Sequence, residues 1–209
     1  MLTCDNVTIT IRDNILISNF AVSIFNNNLI LIKGKNGCGK STLLKILAGF
    51  IEPESGKIFW RGRNIHEDIE LFQSTQIAYL SHHNSLKDFL TVKENLESMA
   101  RFKETENMIP AALSQFGLLE FADQPIYKLS AGMQKKVALA RIIVANAKLW
   151  LLDEPESNLD DSGKEMLAKL IKIRTQEGGL VILTSHSEHN LPASQVIYLE
   201  DFKHLKIGK

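Results

Sequence analysis

Cysteine is scarce: Cys4 and Cys38 are the two in 209 residues, and Cys38 lies in a glycine-rich loop where a disulfide would distort the backbone. A disulfide-stapled scaffold is excluded, and two free thiols in a reducing compartment are expected. Net charge is missing as well, with 24 Lys plus Arg against 24 Asp plus Glu. No broad field therefore draws the chain to nucleic acid or anionic lipid, and partners must be recognised by shape or local chemistry. No apolar run approaches the roughly 18 residues that cross a bilayer. The opening Met1-Leu2-Thr3-Cys4-Asp5 has no basic region followed by an apolar stretch. The expectation is a cytoplasmic chain, neither secreted nor integral to a membrane, that meets a membrane only through other subunits. Internal repeats and low-complexity tracts are also lacking. With 44% hydrophobic residues, the chain has the apolar surface for one globular domain over residues 1–209.

Val7 to Ile11 and Ala21 to Phe25 alternate as short strands, and Arg12-Asp13-Asn14 and Asn26-Asn27-Asn28 supply turns. They predict an antiparallel layer. Leu29-Ile30-Leu31-Ile32 reads as a buried strand, followed by a glycine loop and a helical pattern from Ser41 to Phe50. From Thr91 to Phe121 the spacing is mostly helical around Pro110, which predicts a helical subdomain inserted over about residues 85–145. A further helix runs from Ser130 to about Asn146. Buried strands Leu149 to Leu152 and Leu180 to Leu183 follow, separated by a helix around Ser162 to Thr175, and Val196 to Leu199 forms a last strand. Strands alternating with helices predict an α/β fold with a parallel core sheet.

Gly34-Lys35-Asn36-Gly37-Cys38-Gly39-Lys40-Ser41-Thr42 fits G-x-x-x-x-G-K-[ST] between a strand and a helix, the context that a phosphate-binding loop requires. The candidate nucleotide contacts are Gly34, Asn36, Gly37, Cys38, Gly39, Lys40, Ser41 and Thr42. Backbone N–H groups would close around the β-phosphate, Lys40 would reach the β- and γ-phosphates, and Ser41 would ligate Mg²⁺. Cys38 reads as a small loop residue rather than a redox switch. The apolar run Leu149-Trp150-Leu151-Leu152 ends in Asp153-Glu154. Asp153 suits the Mg²⁺ and Glu154 suits polarisation of the attacking water. An acid pair at a strand end is often a plain surface feature, but beside a phosphate loop the catalytic reading is the stronger one. His186 stands at the end of another buried strand, where ligands bind in parallel sheets, and is a candidate contact to the γ-phosphate and water. His189 lies three residues on, but no thiolate or third ligand makes the two a metal pair.

Leu129-Ser130-Ala131-Gly132-Met133, continued by Gln134-Lys135-Lys136-Val137-Ala138-Leu139-Ala140-Arg141, resembles the signature and basic helix of the ABC ATPase family. Ser130 suits a helix cap, and with the N–H groups of Ala131 and Gly132 it would make a second phosphate site. The resemblance covers essentially the whole chain, since Ser157-Asn158-Leu159-Asp160 is similar to the family's S-A-L-D loop. It implies a P-loop NTPase fold and ATP and Mg²⁺ as ligands. It also implies a head-to-tail homodimer in which the signature of one subunit closes over the ATP of the other, with integral membrane permease subunits as partners. Soluble ABC proteins of translation or DNA repair usually carry two cassettes, long coiled coils or basic surfaces, and this chain shows none of these, so no nucleic-acid partner is expected.

Departures from the family pattern are specific. The aromatic that stacks on adenine is replaced by Ile11 and Arg12, and Met133 stands where the signature ends in glutamine. At the end of Ile77-Ala78-Tyr79-Leu80-Ser81-His82-His83, His83 occupies the place of a Mg²⁺-sensing glutamine and is a candidate metal ligand. Within the family, several features are similar to the haem-exporter ATPases of cytochrome c maturation: the short length, the Ser-Ala-Gly signature, Leu149-Trp150, the stretch Gly178 to Thr184 and the histidine-bearing loop before Leu90. That resemblance implies small multi-span membrane partners and a haem chaperone. Nothing in the nucleotide site reports cargo, so another small exporter fits the same residues.

Overall fold

The structure is a computed structural model that describes residues 1–12, 14–185 and 192–202. The chain opens with strands β1 (Leu2–Ile11) and β2 (Asn14–Ile24), which pair antiparallel. After β3 (Leu29–Lys33) and helix α1 (Lys40–Leu47) come β4 (Ser55–Trp60) and β5 (Arg63–Asn64). Strands β4 and β5 complete a four-stranded antiparallel sheet of order β2-β1-β4-β5. This layer is larger than the sequence pattern shows, because Ser55-Gly56-Lys57 is exposed and hides the alternation of β4. Gly56 is required where β4 crosses the irregular part of β1: its φ is +91°, and a Cβ there would lie 2.5 Å from the Asn6 carbonyl oxygen.

A short helix α2 (Ile69–Leu71) leads through a π-turn into β6 (Ile77–Leu80). Then follow α3 (Val92–Lys103), α4 (Ile109–Gln115) and α5 (Ala131–Val144). Strand β7 (Leu149–Asp153), helix α6 (Asp161–Gln176) and strands β8 (Leu180–Thr184) and β9 (Gln195–Tyr198) complete the core. The second sheet is parallel with order β6-β7-β8-β3-β9. Strands β7 and β8 are buried along their whole length, as expected of parallel strands covered on both faces. Among the described residues, no helix is long and apolar enough to cross a membrane.

The two-residue period of a strand divides the sheet's side chains between two cores. Ile30, Ile32, Leu149, Leu151, Leu180 and Ile182 pack with α1 and the antiparallel layer. Leu29, Leu31, Trp150, Leu152, Val181 and Leu183 pack with α3, α4, α5 and α6. The carboxyl ends of β3, β7 and β8 thus open between a β-layer and a helical layer, and the candidate site is there.

Candidate nucleotide-hydrolysis site

Gly39 begins α1 at φ +108°, and no side chain caps the helix N-terminus, so the first backbone N–H groups remain available to a ligand. Lys40 is buried, and its ammonium donates to the carbonyl oxygens of Gly34 at 2.8 Å and Lys35 at 3.3 Å. It is folded into the loop that precedes it. Gly37 has φ +76°, and a Cβ there would meet nothing within 4 Å, so the loop's crown is open. Cys38 is buried and its sulfur lies against Gly34, where a Cβ would come within 2.5 Å of it. The loop is also tied from below, since the Lys35 N–H donates to Glu200 Oε1 at 2.8 Å.

Strand β7 delivers Asp153 beside Thr184 of β8, whose hydroxyl donates to Asp153 Oδ1 at 2.7 Å. The same hydroxyl accepts from the Glu154 N–H at 3.0 Å. Asp153 is 3% exposed, and its placement depends on this bond. The backbone of Glu154 is left-handed, φ +47°, a costly conformation for a side chain of this size. Its carbonyl accepts from Ser157 N at 3.2 Å, Ser157 Oγ at 2.9 Å and Lys135 Nζ at 3.5 Å. These bonds hold the turn at Glu154.

Strand β6 runs parallel to β7 with Leu80 opposite Leu152. Two residues further on, His82 reaches Glu154, with Nδ1 3.4 Å from Oε2. His83 is exposed, and its ring meets that of His82 edge-on with centroids 5.3 Å apart. Of the two histidines, His82 is the one beside the Glu154 carboxylate, a contact the sequence reading did not include. Tyr79 was also missed: its hydroxyl is buried without a hydrogen-bond partner, and burial, then the nearby Asp153, pushes its pKa up to about 12. His186 and His189 lie outside the described residues. Ser185, just before them, donates to the carboxylate of Glu156.

Ser130 caps α5 by accepting from Met133 N at 3.3 Å, as its place before the helix predicts. Ser130 and Ala131 are exposed, and Gly132 packs so closely on the Asn158 carbonyl oxygen that a Cβ would lie 2.9 Å from it. Asp160 caps α6 and pairs with Lys136 at 3.3 Å. Its carboxyl is held below the usual range, first by the Gly163 N–H and then by Lys136. The signature helix is therefore fastened to the loop that follows Glu154. Ile11 is exposed at the β1–β2 turn, and Arg12 there has φ +47°.

A phosphate loop ahead of a helix, with a buried carboxylate and a second acid at the end of a parallel strand one place removed in the sheet, defines a nucleotide-hydrolysing P-loop cassette. Residues 17–157 match the ABC transporter family. The cytochrome c biogenesis ATP-binding export protein CcmA of Rickettsia bellii is 35% identical over 199 residues, covering 95% of this chain and 100% of the relative. CcmA of Aliivibrio fischeri is 39% identical over 190 residues, covering 90% and 93%. Among solved structures, a bacterial ABC transporter cassette in dimeric form superposes with TM-score 0.87 at 27% identity, covering 95% of this chain and 94% of that one. A post-hydrolysis dimer of that cassette, bound to ADP and Pi, gives TM-score 0.86. The chain belongs to the ABC transporter family and is an ATP-binding, ATP-hydrolysing transporter subunit.

Proposed function

We propose that the chain drives the export step of cytochrome c biogenesis, as a head-to-tail dimer docked on small integral membrane subunits at the inner face of the cell membrane. The observation that carries this reading is the shared name of relatives 35% and 39% identical over nearly the whole chain. A handover of haem to a periplasmic chaperone is the cargo step this reading entails.

In the proposed mechanism Lys40 leaves the Gly34 and Lys35 carbonyls for the β- and γ-phosphates, while the N–H groups from Gly34 through Thr42, Asn36 and Cys38 included, cradle the β-phosphate. The uncapped start of α1 and the open crown at Gly37 fit such a ligand. Ser41 and Asp153 offer the hard oxygen donors that suit Mg²⁺. Among the described residues no cluster of three His, Cys, Asp or Glu would hold an ion alone, and Mg²⁺ bound by few protein ligands plus phosphates needs none. The ion would supply charge neutralisation on the phosphates. Glu154 takes the proton of the attacking water as its oxygen bonds to the γ-phosphorus, and the bridging oxygen leaves with ADP. His186 is assigned contact with the γ-phosphate, and Ser130, Ala131 and Gly132 close on the ATP of the partner subunit. His83 is assigned the metal-sensing position, with His82 against the base; separate His82→Ala and His83→Ala variants distinguish the two by their Mg²⁺ dependence.

Residues 85–145 are proposed to move as a helical subdomain. The groove of about 490 Å³ where β6 meets that subdomain, lined by Tyr79, Asn84, Met99, Phe102, Lys103 and Arg141 among others, is its proposed seat for the membrane subunits.

The test is a pull-down of tagged Glu154→Gln protein from gently solubilised native membranes with ATP present, read by mass spectrometry and a haem spectrum. Small multi-span subunits with a haem chaperone support the reading. A different permease keeps the motor and rejects the cargo. Ribosomal or DNA-repair proteins alone reject the transport role.

A further inference from the structure

Helix α5 turns the stripe Lys135, Ala138, Leu139 and Ile142 towards the core, all of them buried. A lysine in an apolar stripe is anomalous: this position belongs to the core-facing side of an amphipathic helix, and a methionine would fill it without desolvating a charge. Lys135 is 0% exposed. What it meets is the main-chain oxygen of Glu154, at 3.5 Å. Burial lowers its pKa, while Asp153 and Glu154 oppose that shift and favour the ammonium. Placing a buried charge is costly, and here the contact falls on the backbone of the proposed base.

That backbone is held from several sides. The Glu154 N–H donates to Thr184 Oγ1, and its carbonyl takes bonds from Ser157 as well as Lys135. Lys135 differs from the other partners in its origin. Thr184 belongs to the sheet and Ser157 to the adjoining turn, whereas Lys135 comes from the helix whose N-terminus carries Ser130, Ala131 and Gly132. The close approach of Gly132 to the Asn158 carbonyl and the pairing of Lys136 with Asp160 fasten the same helix to the same loop.

We propose that Lys135 is a positioning residue for ATP hydrolysis: its ammonium, buried beneath the signature helix, holds the main chain of Glu154. Through it, the helix that closes on one nucleotide also sets the base that acts on the other. This rests on the assignment of Glu154 as the base.

The experiment compares wild type with Lys135→Met, which keeps the volume and removes the charge, in the full-length protein. ATP binding stoichiometry and KM should stay within about twofold, while kcat falls about 10- to 100-fold, the scale of a misplaced catalytic group. The thermal midpoint should be equal or higher, because a buried charge has been removed. In a Glu154→Gln background, adding Lys135→Met should leave the ATP-trapped dimer unchanged, since no base remains to be positioned. A folded Lys135→Met protein with wild-type kcat overturns the proposal. So does a joint fall of kcat, ATP occupancy and thermal midpoint, which would mark a packing role. If the Met variant is insoluble, Lys135→Leu removes the same charge with a shorter apolar side chain, and a folded Leu variant with wild-type kcat overturns the proposal equally. Full hydrolysis by Glu154→Gln alone would instead reject the base assignment, whatever Lys135 does.

Discussion

The two faces of the parallel sheet are built on different principles. On the face with α1 and the antiparallel layer, apolar side chains such as Ile30, Ile32, Leu43, Leu44 and Leu47 close the core, and Lys40 stands at its rim. On the helical face the apolar core is bordered by polar ties, from buried to exposed. Asn95 clasps the chain before α3, Thr105 donates to the Val144 carbonyl at 2.6 Å, and Arg141 donates to the Ser85 carbonyl at 2.6 Å. Lys135 reaches the Glu154 carbonyl from the same side. Apolar packing is non-directional and makes a firm platform for the phosphate loop. Hydrogen bonds are directional, so the helical face holds its loops in particular positions and registers a shift in any of them.

The largest effect should come where the two faces meet. Glu154→Gln keeps the turn and its main-chain bonds but loses the proposed base, so kcat should fall about 10²- to 10⁴-fold with ATP affinity nearly intact. Steady-state turnover beside equilibrium nucleotide binding measures this, and a variant that turns over normally removes the centre of the comparison.

Matched core truncations come next. Leu43 and Leu96 are both 0% exposed, one on each face. Leu43→Ala and Leu96→Ala should each cost about 2–5 kcal/mol by denaturant unfolding. Their kinetic signatures should differ. Leu43 supports the helix behind the phosphate loop, so its truncation should raise KM for ATP, whereas Leu96→Ala should lower kcat and leave KM near wild type. Equal rises in KM would show that the two faces are not functionally distinct.

The same division explains what the sequence made legible. The phosphate-loop motif is read from one contiguous stretch, Gly34 to Thr42, because the contacts proposed for it are mostly backbone and local. Asp153 and Glu154 stand out at the end of a run of apolar residues. Strand β4 escaped notice because only Ile58, Phe59 and Trp60 of it are protected from solvent. The approach of His82 to Glu154 depends on the register of β6 on β7, which no local pattern encodes. Lys135 sits in Gln134-Lys135-Lys136, a polar run that reads as a solvated helix start. Its burial comes from the loop beyond β7, a tertiary fact.

Asn95 offers a smaller test of the polar side. It is 2% exposed, its amide donates to the carbonyls of Lys87 at 3.1 Å and Thr91 at 2.9 Å, and its Oδ1 accepts from Lys87 N at 2.9 Å. Asn95→Ala would leave buried backbone groups unsatisfied, at about 1–3 kcal/mol. Hydrogen exchange should rise first in residues 81–91, the loop that carries His82 and His83. Uniform loosening of the whole domain would argue that Asn95 acts on global stability rather than on this loop.

The smallest expected effect lies at the entrance of α3, where Thr91 and Glu94 form a reciprocal cap. The Glu94 N–H donates to Thr91 Oγ1 at 3.1 Å, and Glu94 Oε2 accepts from Thr91 N at 2.8 Å. Thr91→Ala should cost about 0.5–2 kcal/mol. The bonds from Thr91, backbone N–H first and hydroxyl second, lower the Glu94 pKa in the folded protein. A carboxyl depressed on folding contributes stability that is present above its unfolded pKa, about 4.3, and is lost as pH falls through the folded value. Thr91→Ala keeps the backbone bond but removes the hydroxyl's, so the folded pKa of Glu94 should move back towards its ordinary value. The stability gap between wild type and variant should therefore be widest at neutral pH and narrow below pH of about 4. Urea unfolding of both proteins across that interval measures it, and a gap that stays constant with pH would show that the hydroxyl acts only as a cap for the Glu94 N–H and not on its carboxylate.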